Sequence, residues 1–114
     1  MSKFQDLIVW QKSMDLVDAI YELAKSFPKE EQFGLWSQLT RAAVSVPSNI
    51  AEGSGRATRK ELVRFLSIAR GSRYETHTQL LIAERRGYAT ITPEVLKLID
   101  EIARMLTAML HKGS

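Results

Sequence analysis

RAAVSVPSNIAEGSGRATRKELVRFLSIARGS, residues Arg41 to Ser72, decides the fold. Apolar residues recur at three- and four-residue steps on both sides of its centre. Ala42, Ala43, Val46 and Ile50 precede the centre, and Leu62, Phe65, Leu66 and Ala69 follow it. That period puts each set on one face of a helix. Gly53 and Gly55 lie between the two sets, so the stretch reads as the turn between two long core helices. Its charge is lopsided: Arg41, Arg56, Arg59, Lys60, Arg64 and Arg70 face only Glu52 and Glu61. A helical hairpin with a basic corner suits contact with a polyanion.

Working outward, the helix before the turn runs from about Glu30 to Glu52, with Leu35 and Leu39 extending its inner stripe. Pro47 sits inside this pattern. It lacks an N–H and crowds the Ala43 carbonyl, so a kink is expected there rather than a break. Small residues around it (Ala42, Ala43, Ser45, Ser48, Ala51) let another helix approach closely. Gly53 and Gly55 end the segment, since glycine tolerates the positive φ that turns a chain out of a helix. The helix after the turn opens at Thr58 with Glu61 three residues on, a capping box, and runs to Gly87. Leu62, Phe65, Leu66, Ala69, Thr76, Leu80 and Ala83 face inward. Gly71 lies mid-helix, where it costs about 1 kcal/mol relative to alanine, which points to close packing.

Two further helices flank this hairpin. The first runs from Asp6, its expected cap, to Phe27, where Pro28 stops it, and Leu7, Trp10, Met14, Val17, Tyr21 and Ala24 form its stripe. The last starts at Thr92-Pro93-Glu94, a cap followed by proline at the first helical position. It continues to about Lys112 with Val95, Leu96, Ile99, Ile102, Leu106 and Leu110 apolar. No strand-like alternation occurs. The expected fold is all-α, an up-down antiparallel four-helix bundle forming one domain over 1–114. A chain of 114 residues buries a core without disulfides or metals. The absence of cysteine excludes disulfides and thiolate chemistry and suits a cytoplasmic location. MSKFQDLIVWQK lacks the apolar run of a signal peptide, and nowhere do roughly 18 uncharged apolar residues run together, so no membrane partner is expected.

The order and spacing of FQDLIVWQKSMDLVDAIYELAKSFPKEEQFGLWSQLTRAAVSVPSNIAEG, GRATRKELVRFLSIARGS and LLIAERRGY resemble the four-helix-bundle proteins encoded in 23S ribosomal RNA intervening sequences. Relatives of that family include the accessory variability proteins of diversity-generating retroelements. The resemblance implies a homopentamer and a nucleic-acid or ribonucleoprotein role without established catalysis. The chain departs from the family after Gly71-Ser72. A pattern like GSLxELET is usual, but here Arg73-Tyr74-Glu75-Thr76-His77-Thr78 puts polar groups at two apolar positions of the buried stripe.

Candidate chemistry is sparse. With Leu62 as origin and about 100° per residue, Arg59, Arg70, Arg56, Arg85 and Lys60 project between about 60° and 160°, with Glu61 and Glu75 on the other flank. Such a sorted stripe can follow a phosphate backbone, or it can be a solvated flank paired with Asp15, Asp18 or Glu22. Tyr74 and Tyr88 are the only tyrosines late in the chain, so sequence-specific reading of single strands is not suggested. Asn49 to Arg56, NIAEGSGR, lacks the preceding strand and the lysine-serine/threonine end of a phosphate loop. Asn49 and Glu52 instead suit backbone groups freed around Pro47, or pairing with Arg41 and Arg56. His77 and His111 lack a glutamate three residues before them, so no di-iron site is expected. Ser45, Ser48, Ser54 and Ser72 have no histidine at helical spacing, while Trp10, Trp36 and Phe33 suit core or subunit anchors. Arg73 and Glu84 project onto the apolar stripe; either they pair across a subunit interface or they reach water at its edge.

The sequence therefore predicts a non-enzymatic, cofactor-free and metal-free oligomer that binds nucleic acid, structured RNA above all, through Arg41, Arg56, Arg59, Lys60, Arg64 and Arg70. The alternative is an assembly module that docks an RNA-processing partner such as a reverse transcriptase.

Overall fold

A computed structural model describes residues 3–112; the ends of the expected 1–114 domain lie outside the described residues. Four helices make the bundle: α1 (Ile8–Leu23), α2 (Leu35–Ser54), α3 (Arg59–Arg85) and α4 (Pro93–His111). Each packs on two neighbours in the cyclic order α1, α2, α3, α4, with the α2–α3 seam the most extensive. At 1.5 Å per residue, the 27 residues of α3 nearly span the 43 Å long axis of the molecule. Among the described residues no strand occurs, and no helix is long and apolar enough to cross a membrane.

The core takes Leu16 and Ile20 from α1, Leu39, Val46 and Ile50 from α2, Leu66 and Leu80 from α3, and Ile99, Ile102 and Leu106 from α4. The stripes expected for α2 and α3 are the buried ones, with Leu35, Leu62 and Phe65 half-buried at their edges. On α4, Leu96 is the exception and stands exposed. On α1 the expected stripe is rotated. Val9, Ser13, Leu16, Ile20 and Ala24 are buried, whereas Met14 and Tyr21 are exposed and Trp10 and Val17 are half-buried. Ser13 hides the true stripe, because a serine breaks the apolar period. It fits inside because its hydroxyl donates to the Val9 carbonyl at 2.7 Å, leaving no unmet polar group. Trp10, Met14 and Val17 instead line the α1–α2 seam beside Val44, Pro47 and Ala51.

Helix ends also differ in detail. Asp6 does not cap α1; it belongs to a single 3-10 turn, Phe4–Asp6, and accepts from the Lys3 N–H at 3.2 Å. Leu7 is the N-cap. A second 3-10 turn, Lys29–Glu31, precedes α2, which starts at Leu35 rather than Glu30. Glu31 reaches forward to accept from the Leu35 N–H at 3.0 Å, replacing the side-chain cap that Gly34 cannot supply. Thr58 and Thr92 cap α3 and α4, accepting from the Glu61 and Val95 N–H groups at 3.2 Å each. The expected capping box is half made, because Thr58 Oγ1 donates to Glu61 Oε1 at 3.4 Å and no return bond to the Thr58 N–H forms.

The glycines differ in part from their expected roles. Gly53 lies buried inside α2, where an added Cβ would stand 2.9 Å from Phe65 Cβ. Close packing therefore belongs to Gly53, while Gly71 has open space beside it. Gly55 closes α2 with φ −89°, and the left-handed turn falls at Gly87, φ +75°. There the Tyr88 N–H donates to the Ala83 carbonyl at 2.9 Å and the Gly87 N–H to the Glu84 carbonyl at 3.0 Å, the doubly bonded Schellman end of α3. α2 runs unbroken through Pro47. Asn49 donates to the Ser45 carbonyl at 2.8 Å and the Ser45 hydroxyl at 2.9 Å and does not pair with Arg41.

Candidate nucleic-acid interface

The six basic candidates divide by what they touch. Arg59, the first residue of α3, reaches the end of α4 and donates to the carbonyls of Met109 at 2.7 Å and Lys112 at 2.6 Å. Within the chain end the Met109 carbonyl otherwise accepts only a long 3.4 Å bond from the Lys112 N–H, and the guanidinium meets the negative end of the helix dipole. Arg59 is thus a clasp between helices. Arg56 lies in the four-residue link before α3, so its helical projection does not apply. It pairs with Glu52 at 2.9 Å and approaches Glu61 at 4.0 Å.

Arg41, Lys60, Arg64 and Arg70 have no carboxylate within ion-pair distance among the described residues. The acids considered as their quenchers are not beside them: Glu22 pairs with Lys25 on its own chain segment at 2.8 Å. Lys60 and Arg64 are four residues apart on α3, both exposed, and so neighbours on its outer face. The Arg64 and Arg56 guanidinium groups lie 5.3 and 4.8 Å from the centroid of the Phe65 ring. One aromatic side chain thus gathers two arginines at the α2–α3 corner, with Lys60 a turn away. Arg41 stands apart, lining a shallow groove with Phe33, Gln38, Ser45 and Glu75. Arg70 is half-buried on α3.

The α2–α3 seam between these groups is tight and polar at its edge. Ser45 and Ser72 share a hydrogen bond of 2.8 Å, and Gln79 Nε2 donates to Gln38 Oε1 at 3.4 Å. Arg73 and Glu84 do not pair with each other. Glu84 accepts from the Ile91 N–H at 3.1 Å beyond the end of α3. Arg73 is buried, 7% exposed, and its guanidinium lies 4.0 Å from the centroid of the Tyr74 ring. Tyr74 is 58% exposed, a stacking surface that sequence reading did not credit. The signal for it was the Arg73-Tyr74 dipeptide on the stripe.

One carboxylate is electrostatically distinct. Glu31 is held below the ordinary carboxylate range by the Leu35 N–H, then by the Tyr88 hydroxyl, which donates to it at 3.0 Å, and by the charge of Arg86. It ties the α3–α4 turn to the start of α2, far from the basic corner. Among the described residues no group of histidines and acids stands close enough to hold a metal.

The family model described as 23S rRNA-intervening sequence protein matches residues 5–108. A crystal structure of a protein of unknown function from the S23 ribosomal protein family of Bacteroides thetaiotaomicron VPI-5482 superposes with a TM-score of 0.80 at 25% identity, covering 92% of this chain and all of that one. No curated protein matches.

Proposed function

This chain belongs to the 23S rRNA-intervening sequence protein family, and from that premise we propose that it is a non-enzymatic, cytoplasmic RNA-binding protein acting as a homo-oligomer. The observation that carries this reading is the α2–α3 corner. Lys60 and Arg64 stand exposed on one helical face without acid partners, beside Arg56 and Phe65. Backbone phosphates complete such a surface, because each one neutralised releases condensed counterions. Arg41 and Arg70 extend the footprint around the hairpin; Arg56 contributes with one flank already paired, and Arg59 contributes by holding α4 in place. The ring of five copies and the kinship with retroelement accessory proteins belong to this proposal too, resting on the sequence resemblance.

The test is a salt titration of affinity for a fluorescent RNA hairpin. The double reversal Lys60→Glu with Arg64→Glu weakens binding and lowers the slope of log affinity against log salt by about 2, one for each phosphate contact. Unchanged affinity and slope would sink the reading. Capture of cellular partners with and without nuclease separates the protein-docking alternative: partners that persist after nuclease favour docking.

A further inference from the structure

We infer that Arg73 and Tyr74 form a nucleotide seat on α3, in which the open face of the Tyr74 ring stacks on an unpaired RNA base and the Arg73 guanidinium, with Arg70 one turn back, holds a neighbouring phosphate. The seat rests on the RNA-binding reading and gives it an address outside the α2–α3 corner. Arg73 is the least explicable side chain in the protomer. It occupies a position of the buried stripe, is more than nine-tenths buried, and its Nε has no acceptor. No ion pair or hydrogen bond engages the rest of its guanidinium among the described residues. Burying the Nε donor without an acceptor is costly, and a leucine would fill the same stripe at no such cost. The terminal nitrogens, which are not among the buried unpartnered atoms, are the donors left for a ligand from outside the protomer.

The surroundings select a nucleotide. The guanidinium lies against one face of Tyr74, and the ring remains 58% exposed, so an aromatic surface and unused donors are presented side by side. A lone carboxylate would use the donors and leave the ring idle; a nucleotide uses both. Arg70 lies three residues before Arg73, on the same side of the helix, and also lacks an acid. Neither arginine has a carboxylate within ion-pair distance among the described residues, although Glu75 follows Tyr74 and is exposed. The site thus has two cations without an ion-pair partner and one exposed ring.

The probe is a fluorescein-labelled single-stranded adenosine dodecamer, with the RNA hairpin as a second probe. Arg73→Leu and Tyr74→Ala each lower dodecamer affinity about tenfold, and Tyr74→Phe retains it, since stacking needs the ring alone. Arg73→Leu also flattens the salt slope by about 1 and raises the melting temperature of the free protein, whereas a purely structural arginine would lower it. Dodecamer affinity unchanged in Arg73→Leu, while the Lys60/Arg64 reversal abolishes it, overturns the seat and leaves the corner standing. A sedimentation change in Arg73→Leu at unchanged RNA affinity overturns it in favour of a carboxylate from a second copy. Binding of the hairpin but not the dodecamer by the natural protein overturns the seat alone; binding of neither overturns both readings.

Discussion

Gly53 sets how closely α2 and α3 approach. An added Cβ would meet Phe65 Cβ at 2.9 Å and Leu62 Cδ1 at 3.3 Å, with the Leu62 carbonyl at 3.4 Å, so a neighbouring helix rather than a flexible tip has to move. Overpacking of that kind costs about 1–3 kcal/mol. Gly53→Ala is therefore expected to lower the unfolding free energy, read from denaturant titration, by that amount. Gly71→Ala, with nothing within 4 Å of the new methyl, should raise stability by about 1 kcal/mol through helix propensity. Both glycines were visible in the sequence, but close packing was assigned to Gly71 when it belongs to Gly53. Helical position can be read from spacing, but the distance to the facing helix cannot. Glu31 offers a second residue-scale test. Its folded-state pKa is lowered, chiefly by the Leu35 N–H, so its contribution is present above the ordinary carboxylate value and is lost as pH falls through the folded value. Glu31→Gln should flatten the acid limb of stability against pH. An unchanged acid limb in urea titrations would show that the cap does not titrate.

At the scale of elements, Arg59 couples the start of α3 to the end of α4. It stood in the sequence as a phosphate ligand because a lone arginine at a helix start has no partner within its own segment. Its acceptors at Met109 and Lys112 lie fifty residues away in the chain and are backbone carbonyls, which leave no trace in residue type. Arg59→Ala should speed hydrogen exchange at the last turn of α4, leaving amides near Ile99 protected. Equal exchange in both proteins would deny the clasp. The helix starts were more legible. Thr58 and Thr92 announce themselves because a hydroxyl before a helix has one obvious use, satisfying the orphan N–H groups. The inner stripe of α1 was not legible, since Ser13 interrupts it and a nearly complete apolar stripe with Trp10 and Tyr21 lies one notch round the same helix. Those aromatics serve the seam: Tyr21 meets Trp36 of α2 edge-on at 6.0 Å.

Over the whole molecule, a further unmet demand is apolar. Phe33 is 91% exposed, just before α2, and stands at the groove containing Arg41, Gln38, Ser45 and Glu75. Burying a phenylalanine side chain contributes about 1.5–3 kcal/mol, so leaving it in water forgoes a large share of a domain's net stability. Self-association recovers that free energy if a second copy covers the ring, and the proposed oligomer gives Phe33 this use. Phe33→Ser should then weaken association by about 10- to 100-fold, the same free energy expressed as an equilibrium constant. The folding of a protomer should be untouched, because the ring touches so little of its own chain. Sedimentation over a concentration series, run beside thermal melts at a dilution where the protein is monomeric, reads the two quantities separately. A natural protein that sediments as a monomer throughout would remove the oligomer. A variant that assembles normally would keep the oligomer and move its interface away from Phe33. With assembly weakened and monomer melting unchanged, RNA affinity of the same variant measures whether a basic corner on one copy suffices or several must act on one strand, since linked sites raise avidity without any new contact.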